Sequence, residues 1–410
     1  MTYQKDIIDI GDRASQLAYR INCESYENSP AVTIVRTSGN FRGPVGWVWK
    51  KHILKMMQKG KMMETMENDG AGGKPQFFAV LSSKPYDGAK QAFEWLGWEI
   101  VAMCADDFAR SGRFPVIIAN EMNVKRLTER NFHLFESIMM GYDYILHAAG
   151  LVSITGETAI MPNSITAFYD ADNESQLVLN WGAACVGLCH TEKLIDGSKI
   201  KADMPVVGFA ENGYRCNGGT FFARLLARRF DPMRWRGMYQ LNPVLDDIDF
   251  MSFIKRLCTP SISYSKLISC AHGWEIDGRI GKPIVSMAGI AHITGGGVWK
   301  KFGDILPRGI GAYLNDIPRN ALLWDAQMMA EKFPDLRISD WDMYGTFHGG
   351  CGMLVVCETN VDAETLIELA KKFGVRASVV GKTGKFADSE IIIESKYKEK
   401  RRLLSSLERK

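Results

Sequence analysis

The sequence predicts an α+β chain of two domains, and three observations lead to that class. Its 410 residues exceed what one ordinary hydrophobic core holds together. Apolar residues recur in helical steps of three and four at some places and in short strand-like runs at others, in both halves. Near the middle, Ile195-Asp196-Gly197-Ser198-Lys199 has the chemistry of an exposed turn. That turn sets the expected division: residues 1–192, residues 193–395, and a basic tail at 396–410.

Bulk composition narrows the class further. Hydrophobic residues make up 46% and charged residues 24%, the balance of a packed globular chain. A net charge of +3 gives no global field favouring nucleic acid or membrane, so neither is an expected partner. The one basic run, Lys396 to Lys410, reads as a solvated terminal helix. The opening MTYQKDIIDIGDR carries charges within its first dozen residues, and no apolar stretch reaches the roughly 18 residues of a membrane span. The nine cysteines contain no Cys-x-x-Cys, and Cys185 and Cys189 lack the further ligands of a zinc site. Buried, reduced thiols in a cytoplasmic protein are the expectation.

The elements follow in chain order. The first 35 residues show no firm period, and residues 38–75 carry many glycines, lysines and methionines. Phe77 to Ser82 reads as a short apolar strand. A helix then carries Phe93, Leu96, Ile100 and Met103 on one stripe, with Asp106 and Asp107 at its end and Gly112 as its stop. Phe114 to Ala119 reads as a strand. A second helix follows with Leu127, Phe135, Ile138, Tyr142, Ile145 and Ala149 on one face, capped by Gly150. Leu151–Ile154 and Gln176–His190 read as strands, as does the stretch around Val206. Helices are expected through Phe222 and Leu225, and through Ile262, Leu267 and Ile268. The chain closes with strand Met353–Cys357, helix Thr365–Phe373, and strands Ala377–Val380 and Glu390–Glu394.

Several segments bear groups suited to phosphate and metal. Asp69-Gly70-Ala71-Gly72-Gly73-Lys74 combines an acid, free backbone amides and a lysine, although a mobile surface turn fits the same pattern. Asp106 and Asp107 oppose the dipole of the helix they end, so a cation should compensate, either Arg110 and Arg113 or a metal. Glu157 follows a short apolar strand and is expected on a strand-exit loop beside Gly156, where an ordinary exposed acid would also sit. His292 stands two residues before Thr294-Gly295-Gly296-Gly297, whose amides can approach a ligand closely. Asn217-Gly218 forms a further glycine turn, and His348 is a weaker case of a histidine beside glycines.

Taken together and in this order, the segments resemble the AIR synthetase family of phosphoribosylformylglycinamidine cyclo-ligases. The matching stretches are DGAGGK at 69–74, VAMCADD at 101–107, GETAIMP at 156–162, LIDGSK at 194–199 and the Asn-Gly pair at 217–218. They continue with TPSISY at 259–264, IAHITGGG at 290–297, ILP at 305–307 and MYGTFHGGCGM at 343–353. The resemblance implies an N-terminal half that builds a β-barrel across a homodimer and a C-terminal α/β sandwich that closes the site. It implies ATP-dependent ring closure of a formylglycinamidine ribonucleotide through an iminophosphate. ATP and Mg²⁺ are the implied cofactors, with a monovalent cation as a further ion it allows.

The resemblance also distributes roles. Asp69, Asp106, Asp107 and Glu157 form the expected metal set, and Glu157 is counted with the catalytic groups. Lys74 is expected to neutralise phosphate, and His292 to handle a proton or touch the substrate phosphate. Nucleotide contacts are expected from Asp69, Gly70, Gly72, Gly73, Lys74, Gly156, Asn217, Gly218, Thr294, Gly295, Gly296 and Gly297. The chain departs from the family at Gly73, Asp106, Ile160, Arg215, Cys216, His348 and Gly349. Ser38-Gly39-Asn40-Phe41 stands where the family has a glycine-phenylalanine loop. These changes leave open a related ATP-using enzyme with another small substrate, or a non-catalytic homologue kept for binding.

Overall fold

The computed structural model describes residues 2–36, 43–83, 88–170, 173–230, 248–386 and 390–406; the Ser38–Phe41 segment lies outside them. In the first half the elements are α1 (Thr2–Ser25), β1 (Val32–Arg36), β2 (Pro44–Trp49), α2 (Lys51–Gln58), β3 (Met62–Gly70) and α3 (Pro75–Leu81). These are followed by α4 (Ala89–Ala109), β4 (Phe114–Val124), α5 (Phe132–Ala149), β5 (Val152–Ile160) and β6 (Leu179–His190). The second half holds β7 (Pro205–Ala210), α6 (Gly219–Phe230), α7 (Ile248–Leu257), α8 (Ser265–Ala271), β8 (Met287–His292) and α9 (Gly297–Gly303). It ends with β9 (Ile310–Leu314), α10 (Ala321–Ala330), α11 (Asp340–Gly345), β10 (Cys351–Cys357), α12 (Asn360–Lys372), β11 (Ala377–Lys385), β12 (Ile391–Glu394) and β13 (Arg402–Leu404).

Two main sheets organise this mixed α+β chain. The first has the order β3-β6-β4-β5 and the second β13-β12-β9-β11-β7-β10-β8. On one face of the first sheet lie α4 and α5, whose buried stripes include Phe93, Leu96, Ile100, Phe135, Ile138 and Tyr142. The other face is covered over part of its area by the β1–β2 hairpin. Glu64 of β3 accepts hydrogen bonds from the indoles of Trp49 at 2.7 Å and Trp47 at 3.3 Å, which holds the hairpin down. Below it Val32, Trp49, Ile53, Ile117, Val152 and Leu188 form a separate cluster.

The two halves share one core. Phe77 of α3 packs its ring edge-on to Tyr214 at 5.9 Å and to Phe222 of α6 at 6.5 Å, so a helix of the first half sits within the second. Burial of such rings contributes on the order of 2–3 kcal/mol each, which resists separation of the halves.

Several expectations need correction. Residues 77–81 belong to a helix, because Pro75 at its first position starts α3 and all of Phe77–Leu81 are buried, leaving no exposed face to give a period. The first 25 residues contain the 24-residue helix α1, which lays Ile10, Ala14 and Ile21 against β5 and α5. Ile262 precedes α8 rather than lying in it. The basic tail does not form a terminal helix over residues 396–406: Tyr397 is fully buried, and Arg402–Leu404 pairs with β12 as an edge strand. Edge pairing of this kind ends a sheet with basic side chains that discourage further strands.

Candidate active site

Three glycine-rich segments far apart in sequence meet at the junction of the two sheets. Residues 70–74 leave β3, residues 215–219 lead into α6, and residues 293–297 join β8 to α9. The first two are in direct backbone contact, with the Gly73 N–H donating to the Cys216 carbonyl at 3.3 Å, and the third packs against the Asn217 side chain and the Tyr344 carbonyl. Gly72 has φ +54°, and a Cβ there would lie 2.5 Å from the carbonyl oxygen of Cys216. Gly297 has φ +60°, and a Cβ would fall 2.2 Å from the carbonyl of Tyr344. Only glycine supplies both the left-handed backbone and the space at these points. Asn217 links the segments further, donating to the Arg215 carbonyl at 2.9 Å with its own oxygen beside Gly295.

Beneath this junction lies a buried ionic network centred on Arg215. Its guanidinium is fully buried and all five N–H groups are used. Nε and Nη2 donate to Nε2 of His292 at 3.0 and 2.7 Å. Nη1 donates to Glu211 and to the Ile262 carbonyl, each at 2.7 Å. Nη2 also donates to Asp106. Arg215 and Cys216 both have positive φ, +57° and +62°, a strained backbone of order 1–3 kcal/mol per residue that these bonds hold in place.

This arrangement decides the state of His292. Arginine has only donors, so Nε2 of His292 is the acceptor and the ring proton sits on Nδ1, which donates to Asp107 at 2.7 Å. Burial and the neighbouring Arg215 charge push the His292 pKa down to about 4. The imidazole is neutral at physiological pH, so it is a poor proton shuttle there. Asp107, although burial acts against it, is held below the usual carboxylate range by the His292 N–H, aided by the charges of Arg110 and Lys301.

Asp106 does not belong to a metal set. It is fully buried, and its oxygens accept from Arg215 and from the backbone N–H groups of Tyr264 and Ser265, both at 2.7 Å. It therefore caps the start of α8 from across the molecule and leaves no lone pair facing solvent. Burial pushes its pKa up to about 7 while Arg215 and the two amides pull the other way. Every one of these contacts is a donor and suits the carboxylate.

Lys74 is also internal rather than facing a ligand. Its ammonium is fully buried 2.6 Å from Glu99, which also accepts from the Ser261 amide at 2.8 Å and the Cys216 thiol at 3.1 Å. Glu99 offsets the cost of burial and keeps the lysine charged.

The remaining acids divide. Asp69 stands one residue before the end of β3 and alongside α4, where the Cys104 thiol reaches its carbonyl at 3.6 Å and Arg110 reaches Glu67 at 4.0 Å; burial, with a smaller effect of the Asp107 charge between them, raises its carboxyl. The only hydrogen bond to its side chain among the described residues comes from the Gly70 amide at 2.7 Å. Glu157 is not with them. It lies inside β5, not on an exit loop, in a row that runs Gly70, Gly182, Glu121, Glu157 across the four strands. At ~4.8 Å per strand it stands roughly 14 Å from Gly70 within one chain. Alternation also turns it to the opposite face from Asp69.

An open cleft of about 560 Å³ is lined by Asp69, Gly70, Gly72, Glu121, Asn123, Asn180 and Trp181. A second, of about 220 Å³, opens beside His292 between Arg110, Arg113, Asp196, Lys301 and Asp304. Among the described residues no three His, Cys, Asp or Glu side chains gather in a metal-binding group. The neighbouring carboxylates Asp69 and Asp107 nevertheless fit Mg²⁺ that arrives with a triphosphate, because Mg²⁺ is usually held by one or two carboxylates plus phosphate oxygens and water. Sequence reasoning missed Lys301, Glu99 and Glu211. For Lys301 a signal existed, a lysine one turn beyond the Gly-Gly-Gly segment. For the two glutamates there was none.

Comparison with known proteins places this geometry in context. Residues 52–171 match the family model described as AIR synthase related protein, N-terminal domain, and residues 282–394 match its C-terminal domain. The chain is 31% identical over 297 residues to the phosphoribosylformylglycinamidine cyclo-ligase of Geobacter metallireducens, covering 71% of this chain and 73% of that one. It is 26% identical over 383 residues to the enzyme of that name from Acetivibrio thermocellus, covering 93% and 96%. Among solved structures, thiamine-monophosphate kinase from Stenotrophomonas maltophilia aligns with a TM-score of 0.52 at 13% identity over 92% of this chain and 96% of that one. Hydrogenase maturation protein HypE in complex with ATP aligns at 0.51 and 10% identity over 85% and 86%. These two likenesses speak for the fold alone.

Proposed function

The chain belongs to the AIR synthase family, and on that premise we propose that it is a cyclo-ligase. It uses ATP to convert formylglycinamidine ribonucleotide into aminoimidazole ribonucleotide. The observation that carries this reading beyond family membership is the run of α4 along β3, where Cys104 reaches the Asp69 carbonyl at 3.6 Å and Arg110 bridges Asp107 at 3.4 Å and Glu67 at 4.0 Å, so that Asp69 and Asp107 are neighbours beside the glycine-rich segments.

In this reading ATP phosphorylates the formyl oxygen and the amidine nitrogen then closes the ring, expelling phosphate. Mg²⁺ bound with the nucleotide supplies charge neutralisation for the phosphate oxygens. Asp69 and Asp107 would hold the ion. His292 and Arg215 fix the Asp107 carboxylate in one orientation, leaving its second oxygen for the ion. The amides of Gly72 and of residues 294–296, which are not drawn into the turn hydrogen bonds of Gly70, Ala71, Gly73 and Gly297, would face the phosphates, and Lys301 and Arg110 would supply positive charge from the adjoining cleft. Glu157 and Gly156 reach such a site only from a second copy, which is the role we assign to a homodimer built on the exposed face of the β3-β6-β4-β5 sheet.

Two departures from the family bear on the substrate. Arg215 is spent within its network, and His348 donates from Nε2 to the Gly213 carbonyl at 2.9 Å while accepting the Gly350 N–H at 3.0 Å. Both are internal, so neither presents a new group to a substrate, which favours the family reaction over a different small molecule. The nine free thiols, seven of them buried, suit the cytoplasm, and no described helix is long and apolar enough to cross a membrane. Incubation with formylglycinamidine ribonucleotide, ATP and Mg²⁺ should yield aminoimidazole ribonucleotide, read colorimetrically. Substrate-dependent ADP release with no imidazole product would point to a related enzyme, and neither signal to a binding protein.

A further inference from the structure

Charge compensation around the neighbouring Asp69 and Asp107 is incomplete. Asp107 is served by the His292 N–H at 2.7 Å and by Arg110 at 3.4 Å. Arg110 is itself shared with Glu67 at 4.0 Å. Asp69 receives only the Gly70 amide among the described residues. Lys74, which the sequence offers as the cation of this loop, is fully buried and committed to Glu99. His292 is a neutral donor to Asp107.

One cation near the pair has no such commitment. Lys301 lies in α9, one turn past the Gly296–Gly297 bend, half-buried, and lines the 220 Å³ cleft together with His292 and Arg110. It makes no hydrogen bond or ion pair with any described residue, and its charge favours the ionised form of Asp69, beside the larger effect of Arg215, and of Asp107, beside the larger effect of Arg110. A lysine is suited to this position, because its ammonium is a point charge on a four-carbon stem that can swing between partners without a fixed fork geometry.

We infer that Lys301 is the resident counter-cation of the Asp69–Asp107 pair and passes to the nucleotide's phosphates when a divalent ion takes the carboxylates. The inference rests on the site reading above but not on the identity of the ring-closing substrate. It predicts effects of opposite sign. Without nucleotide, Lys301 competes with a divalent cation for the two acids. With nucleotide, it adds to the ion's attraction for the phosphates.

The test uses the full chain with Lys301→Met and Lys301→Arg, both at a half-buried position without partners, checked for fold by thermal melting. Free Mn²⁺, followed by its electron paramagnetic resonance signal, should bind nucleotide-free Lys301→Met several-fold more tightly than wild type. A non-hydrolysable ATP analogue with Mg²⁺, measured by calorimetry, should bind Lys301→Met about tenfold more weakly. Lys301→Arg should stay near wild type in both. Weakening of both ligands, or no change in either, would overturn the proposal. Loss of the cyclo-ligase reading is separable, since a wild-type protein that forms no imidazole can still show the opposed metal and nucleotide shifts.

Discussion

Arg215 and His292 are joined by two hydrogen bonds to a single ring nitrogen, at 3.0 and 2.7 Å, with both side chains sealed from solvent. Because a guanidinium cannot accept, this contact fixes the tautomer of the histidine and through it the orientation of Asp107. A buried arginine thereby sets, through His292, the orientation of a carboxylate that keeps part of its surface exposed.

Asp107→Asn should lower turnover about a hundredfold or more while leaving the thermal midpoint within a few degrees, since the amide oxygen can still accept from His292 and the lost ion pair with Arg110 is partly exposed. Steady-state assay beside a melting curve checks it. Unchanged turnover would remove Asp107 from the site.

Asp106→Asn should do the reverse. It weakens a fully buried pair with Arg215 and the cap on α8, so stability should fall by about 3–5 kcal/mol. Denaturant titration measures the loss. A variant as stable as wild type would show that Glu211, His292 and the Ile262 carbonyl hold Arg215 adequately without the Asp106 charge.

Lys74→Met should also destabilise by about 3–5 kcal/mol, because Glu99 would be left charged and buried without its partner. Lys74→Met combined with Glu99→Gln should recover part of that loss. A double-mutant cycle with no coupling would refute the pairing.

The pH dependence of stability carries a defined sign. His292 has a folded pKa of about 4 against an ordinary value of 6.5, so between these values the unfolded chain binds the extra proton. Stability from this group is complete above about pH 6.5 and is lost as pH falls toward 4, by on the order of 3 kcal/mol. Burial lowers His348 and His272 in the same direction, while Asp106, raised to about 7, acts oppositely. Comparing wild type with His292→Asn isolates the residue: the slope between pH 4 and 6.5 should shrink in the variant.

Subunit complementation tests the place of Glu157. Glu157→Gln and Asp107→Asn should each be inactive alone. Mixed after dissociation, they should regain about a quarter of wild-type turnover, since half of randomly formed dimers carry one intact composite site of two. Absence of recovery in mixed dimers would exclude Glu157 from a site shared between subunits.

Much of the fold was legible in the sequence. The three-and-four spacing from Phe93 to Met103 and from Phe135 to Ala149 marked α4 and α5, and Gly150 with φ +71° ends α5 as its position suggested. Segments buried all round, such as Phe77–Leu81, were misassigned because they have no polar face to set a period. The collinear motifs likewise identified the family, since backbone turns that need glycine leave fixed marks in the chain.

Which of the marked residues face the cleft was a matter for the tertiary structure. Lys74 and Lys301 look alike as lysines beside glycines, yet Glu99, twenty-five residues from one of them, buries it and leaves the other free. Glu157 differs from Asp69 only by strand position and parity, which pairing across β3, β6, β4 and β5 sets. Local sequence determines backbone preference and chemical type. Burial, charge compensation and the face a side chain takes depend on partners distant in the chain, and those exist only once it has folded.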